Sequence, residues 1–200
     1  MAARGSYAKG VAKRDEILTT ALEVIAKNGY SKTSIRELAA AVGLSQTGLL
    51  HYFGTKEELF IEVLRKRDAV DAGDEFTAGT YAFDPEADFT EGFISVVRHN
   101  SEVPGLVQLY ARFSTEATEP GHPARAYFED RNAVFRREVA AAIRRQQARG
   151  SADPTLDADR AAAILLAASD GLQTEWMLDP SIDMAEHMLY LWERMVMPRP

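Results

Sequence analysis

Gln46, Thr47 and Gly48 stand directly after Ser45, and their chemistry is recognition by hydrogen bonds rather than bond breaking. A glutamine amide makes paired hydrogen bonds to N6 and N7 of adenine in the major groove of a duplex. A threonine hydroxyl can meet a base edge or a phosphate. Gly48 carries no side chain, so backbone can come close to a nucleic acid there. The residue types of other chemistries do not assemble. Cysteine is absent, which excludes disulfides, thiolate metal sites and a cysteine nucleophile. The four histidines, His51, His99, His122 and His187, lie far apart and show no metal-ligand spacing. G-x-S-x-G, a phosphate-cradling glycine loop and G-x-G-x-x-G are all missing. The expectation is no catalytic residue, no metal and no cofactor, with a helical enzyme kept only as a remote alternative.

Recognition by three small polar residues needs a helix start that holds them out, and the surrounding residues supply one. Ser34 followed by Glu37 is a capping box, so a helix begins there and carries Leu38, Ala39 and Val42 inward. Gly43 stands where a sharp turn demands positive φ. Ser45 is the N-cap of a short helix over about 46–53, with Leu44 and Leu49 plugging the core shared by the pair. Thr55 with Glu58 is a second capping box, opening a longer helix over 56–71. Upstream, Ile17, Leu18, Ala21, Leu22, Val24 and Ile25 form the apolar stripe of a helix over 12–28, closed by Gly29. Helix, Gly-Leu-Ser turn, short helix is helix-turn-helix geometry, in which the second helix enters the major groove, although an ordinary helical hairpin would show the same turn pattern.

Charge divides the chain in the same way. Residues 1–67 hold 11 Lys and Arg against 7 Asp and Glu, whereas residues 68–200 hold 12 against 23. A basic end on an acidic body suits a protein that meets phosphate at one end only. It argues against a nucleoid-coating role, in which the 23 carboxylates of residues 68–200 would repel DNA. No apolar run is long enough to span a membrane, and the start of the chain lacks the apolar stretch of a secretory signal, so the expected location is cytoplasmic.

The stretch TSIRELAAAVGLSQTGLLHYFGTKEELF, residues 33–60, resembles the helix-turn-helix of the TetR (tetracycline-repressor-like) family, with IRELAAAVGLS, HYF and TKEELF in the family's order and spacing. The likeness covers about residues 12–65; beyond them it rests on helix number and lengths and on DGLQTEWMLDPSID near the end. It implies that Arg36 reaches a base or phosphate, that Gln46 and Thr47 read the groove, and that Tyr52 and Lys56 hold phosphates. Ser34, Ser45, Gly48 and His51 complete the expected DNA-contacting set. Many members of the family carry Tyr where this chain has Leu50, which cannot donate that hydrogen bond, so His51 is expected to share the load.

The remaining periodicity predicts helices over 88–101, 104–117, 123–149, 156–178 and 183–197, separated from the head by a loop over 72–87. The expected fold is all-α with about nine helices. Its parts are a flexible basic arm over 1–10, a DNA-binding domain over 11–58 and an effector-binding and dimerisation domain over 59–200. The resemblance implies a homodimer on an operator and a ligand pocket among the long helices. Residues expected to line the pocket are Phe93, Val97, Tyr110, Phe113, Phe128, Arg131, Phe135, Gln173 and Trp176. The helix over 156–178 is apolar on more than one face, and the last helix is rich in Met and aromatic residues, which suits an interface. Expected interface residues are Ala168, Gly171, Leu172, Met188, Leu191, Trp192 and Met195. The expected function is a DNA-binding transcriptional regulator, a repressor released by a small molecule. A regulator answering to a protein partner, or to no effector, is the alternative.

Overall fold

The computed structural model describes residues 2–71 and 89–197, and among them every regular element is helical. In chain order these are α1 (Ala2–Asn28), a 3-10 turn (Tyr30–Lys32), α2 (Ile35–Ala41), α3 (Gln46–His51), α4 (Lys56–Asp71), α5 (Phe89–Asn100), α6 (Pro104–Glu116), α7 (Arg125–Ala148), α8 (Ala158–Leu178) and α9 (Met184–Val196). The expected 72–87 loop lies outside the described residues.

Helix ends fall where side chains compete with the next turn for backbone groups. Ser34 accepts a hydrogen bond from the Glu37 amide while the Glu37 carboxylate accepts from the Ser34 amide at 2.7 Å. The Thr55 amide donates to Glu58 at 2.9 Å and the Glu58 amide donates back to Thr55 Oγ1 at 3.1 Å. Asp157 and Asp183 cap α8 and α9 with their carboxylates, which accept from the Arg160 and Glu186 amides. One start differs from expectation: α1 begins at Ala2, so residues 2–10 continue a helix instead of forming an arm. Ala2, Ala3 and Ala8 favour the helix, and Gly5 and Gly10 oppose it by only about 1 kcal/mol each.

The chain packs as two compact units. The first joins Met1–Val70 to Val103–Arg125, so it contains α6 as well as α1 to α4. Its core is built on Ile17, Ile25, Leu38, Leu49, Leu59, Phe60, Leu64 and Leu109, all buried. Gly105 lets α6 cross α1 at backbone distance, since a Cβ there would stand 2.0 Å from the Ile25 carbonyl oxygen. Tyr30, Phe60 and Phe113 meet edge to face, with centroids 5.1 to 6.1 Å apart. The 3-10 turn is tied to α6 by Ser31 Oγ, which donates to Gln108 Oε1 at 3.1 Å.

The second unit comprises Asp71–Glu102 and Ala126–Pro200. Phe89 and Phe93 stack, Phe93 meets Phe135 edge to face at 5.6 Å, and Phe89 lies 5.7 Å from Trp192. The inward side of α8 is Ala158, Ala161, Ala162, Leu165 and Leu166, and that of α9 is Met184, Ala185, Met188, Trp192 and Val196. Met188 and Trp192, expected in a dimer interface, are instead fully buried within the chain itself. Spacings of four along 184, 188, 192 and 196 keep these side chains on one stripe, which the protomer's own core occupies. In the chain by itself α8 buries one side only, leaving Ile164 and Leu178 exposed.

Candidate nucleic-acid interface

The pair α2 and α3 is short, so its geometry comes from what holds it. Seven and six residues are too few for helices that stand alone in water. Leu38 and Ala39 of α2 and Leu49 of α3 are almost wholly buried and anchor the pair in the first unit's core. Gly43 takes φ 69° in the turn between them, a conformation a side chain would strain. The Leu44 amide then donates to the Ala39 carbonyl at 2.8 Å and closes the turn.

Ser45 Oγ accepts from the Gly48 amide at 3.0 Å, which fixes the first turn of α3. A Cβ at Gly48 would lie 3.2 Å from that oxygen, so glycine keeps the cap uncrowded as well as leaving backbone open. Gln46 and Thr47 are exposed, and among the described residues neither side chain is drawn into a hydrogen bond. Arg36 is likewise exposed and forms no ion pair among the described residues. Ser34 is exposed but its hydroxyl serves the capping box. Glu37 completes that box, and the two hydrogen bonds it accepts from Ser34, backbone first, hold its carboxyl below the ordinary 4.5.

His51 and Tyr52 sit at the C-terminal end of α3 with their rings edge to face at 6.2 Å. His51 is exposed and Tyr52 half-buried, whereas Phe53 is buried and packs. Lys56 is exposed in the first turn of α4, its Nζ 5.5 Å from the Phe60 ring centroid. Thus Ser34, Arg36, Ser45, Gln46, Thr47, Gly48, His51, Tyr52 and Lys56 all belong to one unit, and all are exposed or half-buried. Leu50 is half-buried beside them.

Two residues absent from the sequence expectation join this assembly. Lys13 Nζ donates to the carbonyl of Val42, the C-cap of α2, at 3.0 Å. Arg14 Nη1 donates to the carbonyl of Tyr52, the C-cap of α3, at 2.6 Å. The Arg14 guanidinium also lies 4.5 Å over the Phe53 ring and pairs with Glu62 of α4 at 2.9 Å. No local signal marks these contacts, since they join residues 29 and 38 positions apart.

Residues 17–63 match the family described as bacterial regulatory proteins, tetR family, and residues 103–197 match the one described as BetI-type transcriptional repressor, C-terminal. The chain belongs to the TetR family. The first of these stretches contains the whole of α2, the turn and α3. This TetR-family chain is 42% identical over 55 residues to the transcriptional regulator RutR of Escherichia coli, a match covering 28% of the chain and about a quarter of RutR (26%). It is 27% identical over 156 residues to the repressor KstR2 of Mycobacterium tuberculosis, covering 74% of the chain and 72% of KstR2. Among solved structures it resembles a transcriptional regulator from Saccharomonospora viridis in complex with choline, at 26% identity and TM-score 0.68, covering 93% of this chain and 98% of that one. It shares its fold with NalD of Pseudomonas aeruginosa, at 20% identity and TM-score 0.63, covering 93% and 97% of the two chains.

The residues expected in a ligand pocket do not fall in one unit. Tyr110 and Phe113 belong to the first, where Tyr110 lies under the Arg67 guanidinium at 4.9 Å and Phe113 packs on Tyr30 and Phe60. Phe93, Val97, Phe128, Arg131, Phe135, Gln173 and Trp176 belong to the second. Val97 and Trp176 line a cleft of about 360 Å³ there, with Arg98, Ser101 and the Pro180 to Ala185 segment. Among the described residues no cluster of His, Asp and Glu is arranged to hold a metal, and no helix is long and apolar enough to cross a membrane.

Proposed function

We propose that this chain is a cytoplasmic, sequence-specific DNA-binding transcriptional repressor, and not an enzyme. Residues 11–58 read the duplex and residues 59–200 dimerise and bind a small-molecule effector. The observation that carries the reading is α3 itself. Its first turn is capped by Ser45; Gln46 and Thr47 are exposed and find no hydrogen-bond partner among the described residues; and the surrounding 17–63 segment matches the tetR-family model. Gln46 and Thr47 read base edges, while Arg36, His51, Tyr52 and Lys56 with the caps at Ser34 and Ser45 hold the backbone.

One such head contacts few base pairs, so two are needed for tight binding. Ile164, Ala168, Gly171 and Leu178 recur along α8 at spacings that keep them on one stripe. A Cβ at Gly171 would meet nothing within 4 Å among the described residues, which leaves room for a partner helix. These residues, with half-buried Leu172, Leu191 and Met195, form the proposed homodimer face. The dimer sets two α3 helices in successive major grooves about 34–36 Å apart on a pseudo-palindromic operator. An effector bound in the second unit favours another head separation, and a coupling of about 1–3 kcal/mol suffices for release. The choline held by the relative from Saccharomonospora viridis makes choline the first effector to try.

The test is a titration of the full chain against DNA from its own upstream region and against random DNA, at two salt concentrations. Binding about a thousandfold tighter to the first, with two chains per site, supports a specific dimeric regulator. No binding to either duplex at low salt overturns the reading. Choline-dependent loss of binding supports the effector assignment, and indifference to choline overturns that ligand alone.

A further inference from the structure

We propose that Lys13 and Arg14 are positioning residues that set the angle at which α3 presents Gln46 and Thr47, so that DNA sequence selectivity depends on two side chains that do not read it. The inference rests on the proposed reading of DNA by α3. Both residues lie on α1, next to each other, and each takes hold of a different helix of the pair. Lys13 donates to the carbonyl that ends α2, and Arg14 to the carbonyl that ends α3. A cation at a helix C-terminus meets unsatisfied carbonyls and the negative end of the helix dipole, so both contacts are favourable where they stand.

The hold on α3 has three directions. Arg14 Nη1 reaches the Tyr52 carbonyl at 2.6 Å, Nη2 reaches Glu62 of α4 at 2.9 Å, and the guanidinium plane lies over Phe53 at 4.5 Å. A planar fork with donors on two sides can make these contacts together, and an ammonium cannot. The next residue extends the clamp, because Asp15 accepts from Lys66 of α4 at 2.7 Å. Against these holds α3 has six residues and a single fully buried apolar anchor, Leu49. Paired hydrogen bonds to a base tolerate displacements of only about half an ångström, so a loosened helix loses base discrimination before it loses attraction to phosphate.

The rival role for two cations near DNA is direct phosphate contact, and the two roles predict opposite results. The experiment selects the tightest duplex from a randomised library with the wild-type chain. Affinity for that duplex and for random DNA is then measured across a range of salt for Arg14→Lys, Arg14→Gln, Glu62→Gln and Lys13→Gln, each checked for folding by circular dichroism. Positioning predicts that Arg14→Lys, which keeps the charge, lowers the selected-to-random ratio about tenfold or more with the salt slope unchanged. It predicts that Glu62→Gln lowers the ratio too, although this change makes the head more positive. Phosphate contact predicts near wild-type behaviour for Arg14→Lys and tighter binding to both duplexes for Glu62→Gln, which would overturn the proposal. A ratio that stays at the wild-type value in folded variants would overturn it as well. If Arg14→Gln fails to fold, Glu62→Gln and Lys13→Gln decide by the same ratio. Should the wild-type chain select no duplex over random DNA, the reading of α3 fails and the proposal falls with it. Selection by wild type with an unaltered ratio in the variants fails the proposal alone.

Discussion

At the residue scale, exposed polar side chains divide into those that are free and those that are spent on the fold. Gln46 and Thr47 are exposed and meet no hydrogen-bond partner among the described residues, so their hydrogen-bonding capacity is available to another molecule. Gln46→Ala is expected to cost about 1–3 kcal/mol against the operator and to relax preference at one base pair per half-site, with random DNA unaffected. Lys56→Ala is expected to weaken all duplexes alike and to lower the salt slope by about one per head. Parallel titrations against operator and random DNA at several salt concentrations check both. Glu37 is spent: its carboxylate accepts from Ser34, and its pKa falls below the ordinary 4.5 for that reason. A depressed folded-state pKa adds stability above the unfolded value that is lost as pH falls through the folded one. Glu37→Gln is therefore expected to narrow its stability gap from wild type as pH drops from neutral to below 4.5, as read by urea denaturation at the two pH values.

At the element scale, the close crossing of α6 over α1 depends on one missing atom. A Cβ at Gly105 would meet the Ile25 carbonyl oxygen at 2.0 Å and the Gly29 Cα at 2.9 Å, both backbone and neither able to swing aside. Gly105→Ala is expected to destabilise the chain by about 1–3 kcal/mol through overpacking. Urea denaturation would show this as a lower midpoint with an unchanged slope. Helix ends were legible in advance because a capping box is an interaction over three residues, as at Ser34–Glu37 and Thr55–Glu58. The crossing was not legible, since nothing near Gly105 in sequence announces Ile25.

At the scale of the whole molecule, the exposed apolar side chains of α8 ask for a partner. Ile164 is 47% exposed and Leu178 78%, more than a helix facing water alone needs. Ile164→Asp is expected to shift the proposed dimer toward monomer in sedimentation, to weaken operator binding by the loss of paired heads, and to leave the protomer folded. A folded variant that sediments as the wild type does would remove this face from the interface. Met188 and Trp192 show why this face could not be read from composition alone. Met and aromatic residues suit an interface and a core equally, and here the protomer's own core took them.

By itself the sequence determined the all-α class, the helix starts marked by side-chain caps, as at Ser34, Ser45 and Thr55, and the outward-facing Gln46 and Thr47 of the helix-turn-helix. All of these follow from periodicity and from contacts within one turn, which neighbours in the chain settle locally. The tertiary structure alone decided what Lys13, Arg14 and Gly105 do, which unit holds Tyr110 and Phe113, and which side of α9 faces in. Each of those depends on what lies across a packed interface from it, and the partners are tens of residues away, as Val42, Tyr52 and Ile25 are. A long side chain of given charge reads the same in sequence whether it will meet a helix end, a carboxylate or a phosphate. Only the packing of α1 against α2, α3 and α4 selects among them.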